Sequence, residues 1–524
     1  MASPSEAAHP PEAHRGAFSS RRVFILAAIG SAAGLGNIWR FPYVAYENGG
    51  GAFILPYLVA LLGAGIPFLL FDYAIGHRFR GSAPLSFRRM SRTGEMLGWW
   101  QVGICAVIGV YYAVIIAWAL RYTIFSTNEA WGDDPNGFLF GEFLQVADPG
   151  IGLDFVPGVL VPLILVWVVV LVILGLGVQR GIGAASVVFI PLMIVAFLAL
   201  VVQALFLPGA AQGLNALFTP DWAALADTGV WAAAFGQIFF SLSVGFGIMI
   251  TYASYVGRRT DMTGSGLVVG FSNSAFELLA GIGVFAALGF MAQANGVSVD
   301  EVATSGLGLA FIAFPAIISE APAGALIGVL FFGTLVLAGI TSLISVIEVV
   351  ISGVRDKLDL SRTAATLAVV VPSGLVSVLL FATTTGVPIL DTIDYFINRF
   401  GIVLVAVVTV LVVTWAYREL PDLRAHMNLT TSFPLGRWWM VLVGGLTPLV
   451  LTFILVQEFR DALAEPYGGY PAWLLTFLGW GSAVGVIVFA IVAALLPWSK
   501  RTRLDKPASL VTVTSDRSSG KAER

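Results

Sequence analysis

The chain has 524 residues, of which 58% are hydrophobic and only 11% are charged. A soluble domain carries roughly 25% charged residues, so this composition excludes an ordinary globular protein and predicts an all-α polytopic membrane protein. The single cysteine, Cys105, has no partner in the sequence, which excludes a disulfide framework and a thiolate metal site. The net charge of −3 is uninformative as a total, and nothing in the sequence indicates a nucleic-acid partner.

Apolar segments long enough to cross a bilayer recur along the chain. A helix needs about 20 apolar residues to cross a hydrocarbon core of about 30 Å. By this measure the sequence predicts about twelve spans, numbered here 1 to 12, near residues 22–46, 51–77, 98–124, 158–176, 182–207, 229–256, 266–293, 323–354, 363–383, 389–416, 438–457 and 471–498. A further apolar stretch at 306–318 is too short to span, and we expect a hairpin or re-entrant segment there, in an external loop.

The distribution of basic residues predicts the orientation. Arg and Lys are concentrated in the segments that lie inside if the N-terminus is cytoplasmic, whereas the loop at 125–157 has acidic residues and no Lys or Arg. The positive-inside rule therefore predicts both termini in the cytoplasm, and we expect a multi-pass protein of the plasma (cell inner) membrane. The polar tails would be residues 1–20 and 499–524.

Two predicted spans contain glycine pairs in their middle. Span 1 contains GSAAGLGN from Gly30, and span 6 contains SLSVGFG from Ser241. Glycine weakens a helix, and unwound backbone inside a bilayer requires other partners, which an ion and a charged substrate can supply. Spans 1 and 6 are the first members of two sets of five, at 21–207 and 208–416, followed by spans 11 and 12 at 417–498. Interruptions at matching positions indicate a transport site between inverted repeats, although glycines also serve close helix packing.

Three long motifs resemble those of the neurotransmitter:sodium symporter family. They are GSAAGLGNIWRFPYVAYENGGGAFILPY at 30–57, GQIFFSLSVGFGIMITYASY at 236–255 and LAGITSLISVIE at 337–348. The resemblance extends from about residue 21 to the end of span 12. It implies a LeuT-type fold with a 5+5 inverted repeat, in which spans 1 and 6 are unwound at mid-membrane. It also implies sodium-coupled symport of a small amino acid by alternating access.

The resemblance implies two sodium sites built from oxygen ligands, which suit a hard cation. The first matches the carbonyl of Ala32 and the side chains of Asn37, Ser241 and Asn273, with the substrate carboxylate completing the shell. The second matches the carbonyls of Gly30, Ala33 and Ala338 and the hydroxyls of Thr341 and Ser342. On sequence alone, the two hydroxyls of span 8 could equally bond back to their own helix.

The family pattern also implies a substrate site. The substrate carboxylate would meet the amides of Leu35 and Gly36 and the hydroxyl of Tyr112, and the amino group would meet carbonyls near Ala32, Phe240 and Ser241. The side-chain pocket would be lined by Ile108, Gly109, Phe240, Ser243, Phe246, Ser342 and Val346. Relatives that carry biogenic amines have an Asp where this chain has Gly34, so an amino acid is favoured over a monoamine, and the apolar lining favours an apolar or aromatic one.

Glu277 lies one helical turn after Asn273 on span 7. Chloride-dependent relatives have a neutral Ser at this position, so a fixed carboxylate predicts that no chloride is needed. Glu277 could also take up a proton during the return step, or could serve as a structural partner of Tyr57 or Gln237. These alternatives remain open at the level of sequence.

Further residues match gates and a release device. Arg40 and Asp394, with Tyr112 and Phe240, match the outer gate. Asp356 and Tyr255 match the inner gate, with Arg15 as the basic partner or Arg21 as the alternative, because Phe18 replaces the Trp that usually follows. Gly181 and Pro191 on span 5 match a pattern linked to helix unwinding, although an ordinary proline kink would look the same.

Other functions are less compatible with the sequence. The four histidines lie in the N-terminal tail and in predicted inner segments, and no nucleotide loop, metal cluster or catalytic triad is present, so we expect no enzyme activity. The alternatives that remain are an amino acid sensor with the same fold and a sodium-independent or proton-coupled carrier. The sequence leaves the oligomeric state open.

Overall fold

The computed structural model describes residues 16–303 and 306–507, and in these ranges it consists of helices joined by loops, with only two isolated β-bridges. Arg15 lies outside the described residues. Ten helices are long and apolar enough to cross a membrane: Gly51–Phe79, Arg92–Phe125, Pro157–Gly175, Val178–Leu205, Met262–Asn295, Gly324–Leu358, Arg362–Phe381, Gly386–Ala416, Arg437–Gly469 and Ala472–Leu495. They are spans 2 to 5 and 7 to 12, and the predicted all-α polytopic architecture is confirmed.

Spans 1 and 6 are the interrupted ones. Span 1 consists of Arg21–Ala32 and Leu35–Glu47, which are bent by 56° relative to each other. Span 6 consists of Thr228–Ser241 and Ile248–Ser254, separated by six residues. Both interruptions fall at the glycine-containing motifs, where the sequence predicts them.

Burial separates central from peripheral spans. In the most apolar window of span 3, 78% of residues are buried within the protein, whereas the figure is 22% for span 12. Span 8 packs along span 3 over much of its length. Spans 4, 5, 11 and 12 expose large apolar side chains, as helices that face lipid do. The broken spans therefore sit in a packed bundle, and the lipid-facing helices lie around it.

One predicted element is wrong. The segment expected to be a hairpin or re-entrant loop is a single helix, Gly306–Glu320. Pro315 is tolerated because a π-helical turn at Leu309–Ala313 precedes it and places it in the first turn of the next α-helical piece. This helix is anchored by aromatic packing, with Phe314 stacked on Phe331 at a centroid separation of 3.8 Å.

Candidate functional site

The break in span 1 releases backbone groups into the middle of the bundle. The Gly34 N–H donates to the Ala32 carbonyl at 2.8 Å, and the Leu35 N–H donates to the Tyr112 hydroxyl at 3.4 Å. In a continuous α-helix these two amides would bond to the carbonyls of Gly30 and Ser31. The Ser31 carbonyl instead accepts from the Ser243 hydroxyl at 3.0 Å, and the Gly30 carbonyl has lost its helical donor.

The break in span 6 requires unusual backbone angles. Ser243, Gly245 and Gly247 have φ values of 53°, 85° and 91°, in the region that glycine adopts most easily. The Gly245 amide donates to Oδ2 of Asp72 on span 2 at 2.9 Å. A buried carboxylate thus stabilises the unwound backbone, which would otherwise be costly at this depth.

The side chains predicted for the first sodium site form one connected group. Nδ2 of Asn37 donates to Oδ1 of Asn273 at 2.8 Å, and Nδ2 of Asn273 donates to the Ser241 hydroxyl at 3.1 Å. All three side chains are buried, and Ala32 lies at the adjacent end of the first half of span 1. Spans 1, 6 and 7 therefore bring amide and hydroxyl oxygens together, and the binding of sodium there stays a prediction.

Glu277 lies beside this group and is fully buried. Its two oxygens accept hydrogen bonds from the Tyr57 hydroxyl and from Nε2 of Gln237, the latter at 2.7 Å. Both structural partners named for it from the sequence are therefore present. The contacts hold the carboxylate in place one turn from Asn273.

The residues predicted for the second sodium site lie where spans 1 and 8 approach. A Cβ placed on Gly30 would lie 3.3 Å from Cβ of Thr341 and 2.5 Å from Cδ1 of Ile190. The Thr341 hydroxyl bonds back to the carbonyls of Leu337 at 3.0 Å and Ala338 at 2.9 Å. The Ser342 hydroxyl reaches the Ser31 carbonyl at 3.4 Å. The sequence left open whether Thr341 bonds to its own helix; it does so here, next to the released backbone of span 1.

A cavity of about 230 Å³, the substrate cavity, opens between spans 1, 3, 6, 8 and 10. Nine of the residues predicted to bind substrate line it: Leu35, Gly36, Ile108, Tyr112, Phe240, Ser243, Phe246, Ser342 and Val346. Ser241 does not line the cavity, and its hydroxyl is bonded to Asn273 instead. Gly109 is also outside, contrary to expectation, because it faces span 8, where an added Cβ would meet Cδ1 of Ile347 at 2.4 Å.

Span 10 contributes polar lining that the sequence reasoning missed. Asp391 and Asn398 both line the substrate cavity. Nδ2 of Asn398 donates to Oδ1 of Asp394 at 2.7 Å and to the Tyr111 hydroxyl at 3.2 Å. Their spacing of three and four residues from Asp394 could have indicated a shared helix face.

The two charged residues predicted for the outer gate, Arg40 and Asp394, line a cavity and do not pair with each other in the described structure. Arg40 and Asp394 line a second cavity of about 400 Å³, the outer cavity, which continues from the substrate cavity past Trp39 and Phe240. Among the described residues, no salt bridge joins these two side chains. The Arg40 guanidinium instead lies over the Phe240 ring, 4.6 Å from its centroid.

The opposite end of the bundle, the basic face, carries the basic last turns of spans 2 and 8, and residues before and after the two broken spans pack together there. Phe18 packs edge-on against Tyr252 at 5.5 Å, and its amide donates to the Tyr255 carbonyl at 3.2 Å. The Tyr255 hydroxyl donates to Glu348 at 2.6 Å. Phe18 thus occupies an aromatic cluster despite replacing the usual Trp.

One of the two candidate basic partners of Asp356 pairs with a different acid. Arg21, the alternative to Arg15, is not that partner: it pairs with Asp261 at 3.2 Å and donates to the Ser265 hydroxyl at 2.8 Å. Asp356 accepts from the Ser82 amide at 2.9 Å. Arg21 is the first residue of the first helix of span 1, and Asp261 immediately precedes the helix of span 7. The two helix starts lie side by side, so Arg21 reaches Asp261 rather than Asp356.

Asp261 caps the N-terminus of span 7. Partial burial acts to raise the pKa of the Asp261 carboxyl, but hydrogen bonds from Ser432 and from the Gly264 amide outweigh it and lower that pKa below its usual value. The carboxylate is therefore well suited to pair with Arg21.

Span 5 contains the predicted glycine and proline in different helical environments. Gly181 lies in a π-helical turn, Val178–Gly183, and Pro191 lies inside the α-helix Ala184–Leu205. The residue before the proline, Ile190, packs against Gly30. Whether this span unwinds during release stays a prediction.

Comparison with known proteins identifies the family of the chain. The model of the sodium:neurotransmitter symporter family matches residues 15–137 and 133–501. An uncharacterised sodium-dependent transporter of Methanocaldococcus jannaschii is 40% identical over 92% of this chain and 97% of its own length. The sodium-dependent dopamine transporter of Bos taurus is 31% identical over 94% of this chain and 77% of its own length. The sodium- and chloride-dependent glycine transporter 2 of Xenopus laevis is 28% identical over 89% of this chain and 67% of its own length. The chain therefore belongs to the sodium:neurotransmitter symporter family, a family of sodium-dependent transporters.

Proposed function

We propose that the chain imports a small apolar or aromatic amino acid together with Na⁺, without using chloride, by alternating access. The observation that carries this proposal is the break in span 1 at the base of the substrate cavity. There the N-terminus of Leu35–Glu47 points its first amide at the Tyr112 hydroxyl rather than at a helical carbonyl. A helix N-terminus, whose first amides have no helical carbonyl to bond to, is a favourable position for a carboxylate.

The amino group of the substrate would bind to carbonyls rather than to an acid. Gly34 faces the cavity, and a Cβ there would lie 3.3 Å from the Tyr112 hydroxyl and 3.6 Å from Oγ of Ser342. The acids of span 10 that line the cavity already have partners, Tyr467 and Tyr470 for Asp391 and Asn398 for Asp394. A substrate that brings its own carboxylate therefore suits this cavity better than an amine such as dopamine.

The side-chain end of the cavity supports the preference for apolar substrates. Ile108, Phe246 and Val346 line it, and Ile115, Leu390 and Ile402 add further apolar surface. Burial of apolar surface contributes about 25 cal/mol per Å². We expect Leu, Ile, Met or an aromatic amino acid to bind more tightly than Ser or Asp.

Glu277 supports independence from chloride. Its carboxylate is held by Tyr57 and Gln237 next to the group of Asn273, so a negative charge is built into the position that would otherwise attract an anion. The glycine transporter above is named for its dependence on chloride as well as sodium. We place two Na⁺ ions at the sites of Asn273 and Thr341, and both termini in the cytoplasm.

A screen of the purified full chain tests the proposal. Thermal unfolding in detergent would be followed with each of the twenty amino acids and with dopamine. Each compound would be measured in Na⁺ against K⁺ and in chloride against gluconate. We expect stabilisation by an apolar or aromatic amino acid that requires Na⁺ and is indifferent to the anion. Stabilisation without Na⁺ would favour a proton-coupled or sodium-independent carrier, and a chloride requirement would overturn the role of Glu277.

Proteoliposomes separate transport from sensing. The amino acid that stabilises the chain should accumulate inside vesicles when a Na⁺ gradient is imposed. Binding without Na⁺-driven accumulation would favour the sensor.

A further inference from the structure

A short turn after span 11 presents two tyrosines to one carboxylate of span 10. The regular helix of span 11 ends at Ala464, and the sequence Pro466-Tyr-Gly-Gly-Tyr-Pro471 follows. Gly468 and Gly469 both have φ of 64°, which side chains with a Cβ adopt only under strain. Two consecutive left-handed residues reverse the chain, so that Tyr467 and Tyr470 point the same way.

Each of the two tyrosine hydroxyls donates to a different oxygen of the Asp391 carboxylate. Tyr467 donates to Oδ1 at 2.9 Å, and Tyr470 donates to Oδ2 at 3.0 Å. Hydrogen bonds to a charged acceptor are stronger than those between neutral groups. We call this arrangement of Asp391, Tyr467 and Tyr470 the tyrosine clamp.

Other contacts hold the same part of span 10 against span 11. The Tyr395 ring stacks on Tyr467 at a centroid separation of 3.7 Å. Arg399 pairs with Glu458 at 2.6 Å and lies over the Tyr395 ring at 4.7 Å. The outer half of span 10 is therefore attached to peripheral helices on one side, while its cavity side carries Asp394.

The position of Asp391 links the clamp to the outer gate. Asp391 lies one helical turn before Asp394, and both line the substrate cavity. Arg40 sits on Phe240 instead of pairing with Asp394. Closure of the outer cavity requires Arg40 on span 1 and Asp394 on span 10 to approach each other.

We propose that Tyr467 and Tyr470 are positioning residues of the outer gate. By holding Asp391 against the turn after span 11, they keep the outer half of span 10 away from Arg40. Closure then requires span 10 to move against these two hydrogen bonds. This inference rests on the proposed alternating access, and it names residues outside the sodium and substrate sites.

Cysteine reactivity measures the state of the gate without any substrate. The only native cysteine, the buried Cys105, would be replaced by Ala, and Ile402, which lines both cavities, would be replaced by Cys. The rate of modification by a charged, membrane-impermeant thiosulfonate reagent then reports how open the outer cavity is. In this background Tyr467→Phe/Tyr470→Phe should slow modification at least tenfold, because two hydrogen bonds to a charged acceptor are lost.

Two controls make the result specific. Tyr122→Phe removes a buried hydroxyl that has no hydrogen-bond partner among the described residues, and it should leave the rate unchanged. In an Asp391→Leu background, which has no acceptor, adding the two Phe substitutions should cause no further slowing. If the double variant folds poorly, Tyr470→Phe alone gives the same comparison with a smaller effect.

The modification rates of these variants can contradict the proposal. An unchanged or faster rate in Tyr467→Phe/Tyr470→Phe, or equal slowing in the Asp391→Leu background, overturns the proposal. Because the assay uses neither Na⁺ nor an amino acid, failure of the substrate screen leaves its result interpretable.

Discussion

Nδ2 of Asn37 donates a hydrogen bond to Oδ1 of Asn273 at 2.8 Å, across 236 positions of sequence. This contact joins the start of the second helical half of span 1, just after its break, to the middle of span 7. Ser241 of span 6 accepts from the same Asn273 side chain. A single amide thus connects three helices at the point where we propose a sodium ion.

Replacement of Asn273 tests this site. Asn273→Leu keeps the side-chain size but removes both the oxygen and the donor, so the Na⁺ concentration for half-maximal thermal stabilisation should rise at least tenfold. Asn48→Leu is the matched control, because Nδ2 of Asn48 bonds only to the Val44 carbonyl in the described structure. If the two variants respond to Na⁺ alike, the first sodium site is misplaced.

Replacement of Thr341 tests whether its hydroxyl binds Na⁺ or only bonds to its own helix. Thr341→Val should abolish or strongly weaken the Na⁺ dependence of substrate binding. Thr334→Val is a close control on the same span, since the Thr334 hydroxyl is buried and bonds to the Leu330 carbonyl at 2.6 Å. Equal small losses of stability with unchanged Na⁺ titrations would mean that Thr341 only bonds to its own helix.

Glu277 should determine the anion requirement. Glu277→Ser removes the fixed charge, and uptake in this variant should become dependent on chloride, measured against gluconate at constant Na⁺. The parent chain should show equal uptake in both anions. Ser274→Ala, one residue after Asn273, serves as the control and should remain indifferent to chloride. A variant at position 277 that stays indifferent as well would contradict the proposed role.

The hydrogen bonds that lower the pKa of the Asp261 carboxyl predict a pH dependence of stability at the basic face. Because the pKa of Asp261 is lower in the folded protein than its usual 3.8, this carboxylate stabilises the fold above that pH, and the contribution is lost as the pH falls through the lowered value. Asp261→Asn should therefore lower the melting temperature at pH 7, and the difference from the parent should shrink as the pH falls below about 4. A constant difference at all pH values would argue against stabilisation by the ionised Asp261 carboxylate.

The membrane architecture and the breaks in spans 1 and 6 follow from sequence because they depend on local composition. Apolar length predicts a span whatever its neighbours are, and Gly30 to Asn37 and Ser241 to Gly247 weaken their helices wherever these are placed. Most of the residues that the family motifs predict for the substrate site line one cavity, and their role in binding stays a prediction. The prediction that Gly109 lines the cavity is wrong, because neighbouring residues of a helix face different directions. Packing against Ile347 of span 8 determines that Gly109 faces the helix interface.

Tertiary structure alone decided the contacts between distant elements. The sequence could not show that Arg21 pairs with Asp261, that Pro315 sits inside one continuous helix, or that Tyr467 and Tyr470 share Asp391. Each depends on the rotation and approach of helices far apart in the chain, which hydrophobic periodicity does not encode. The sequence determined that this chain crosses the membrane and breaks two helices, and the fold decided which side chains meet at those breaks.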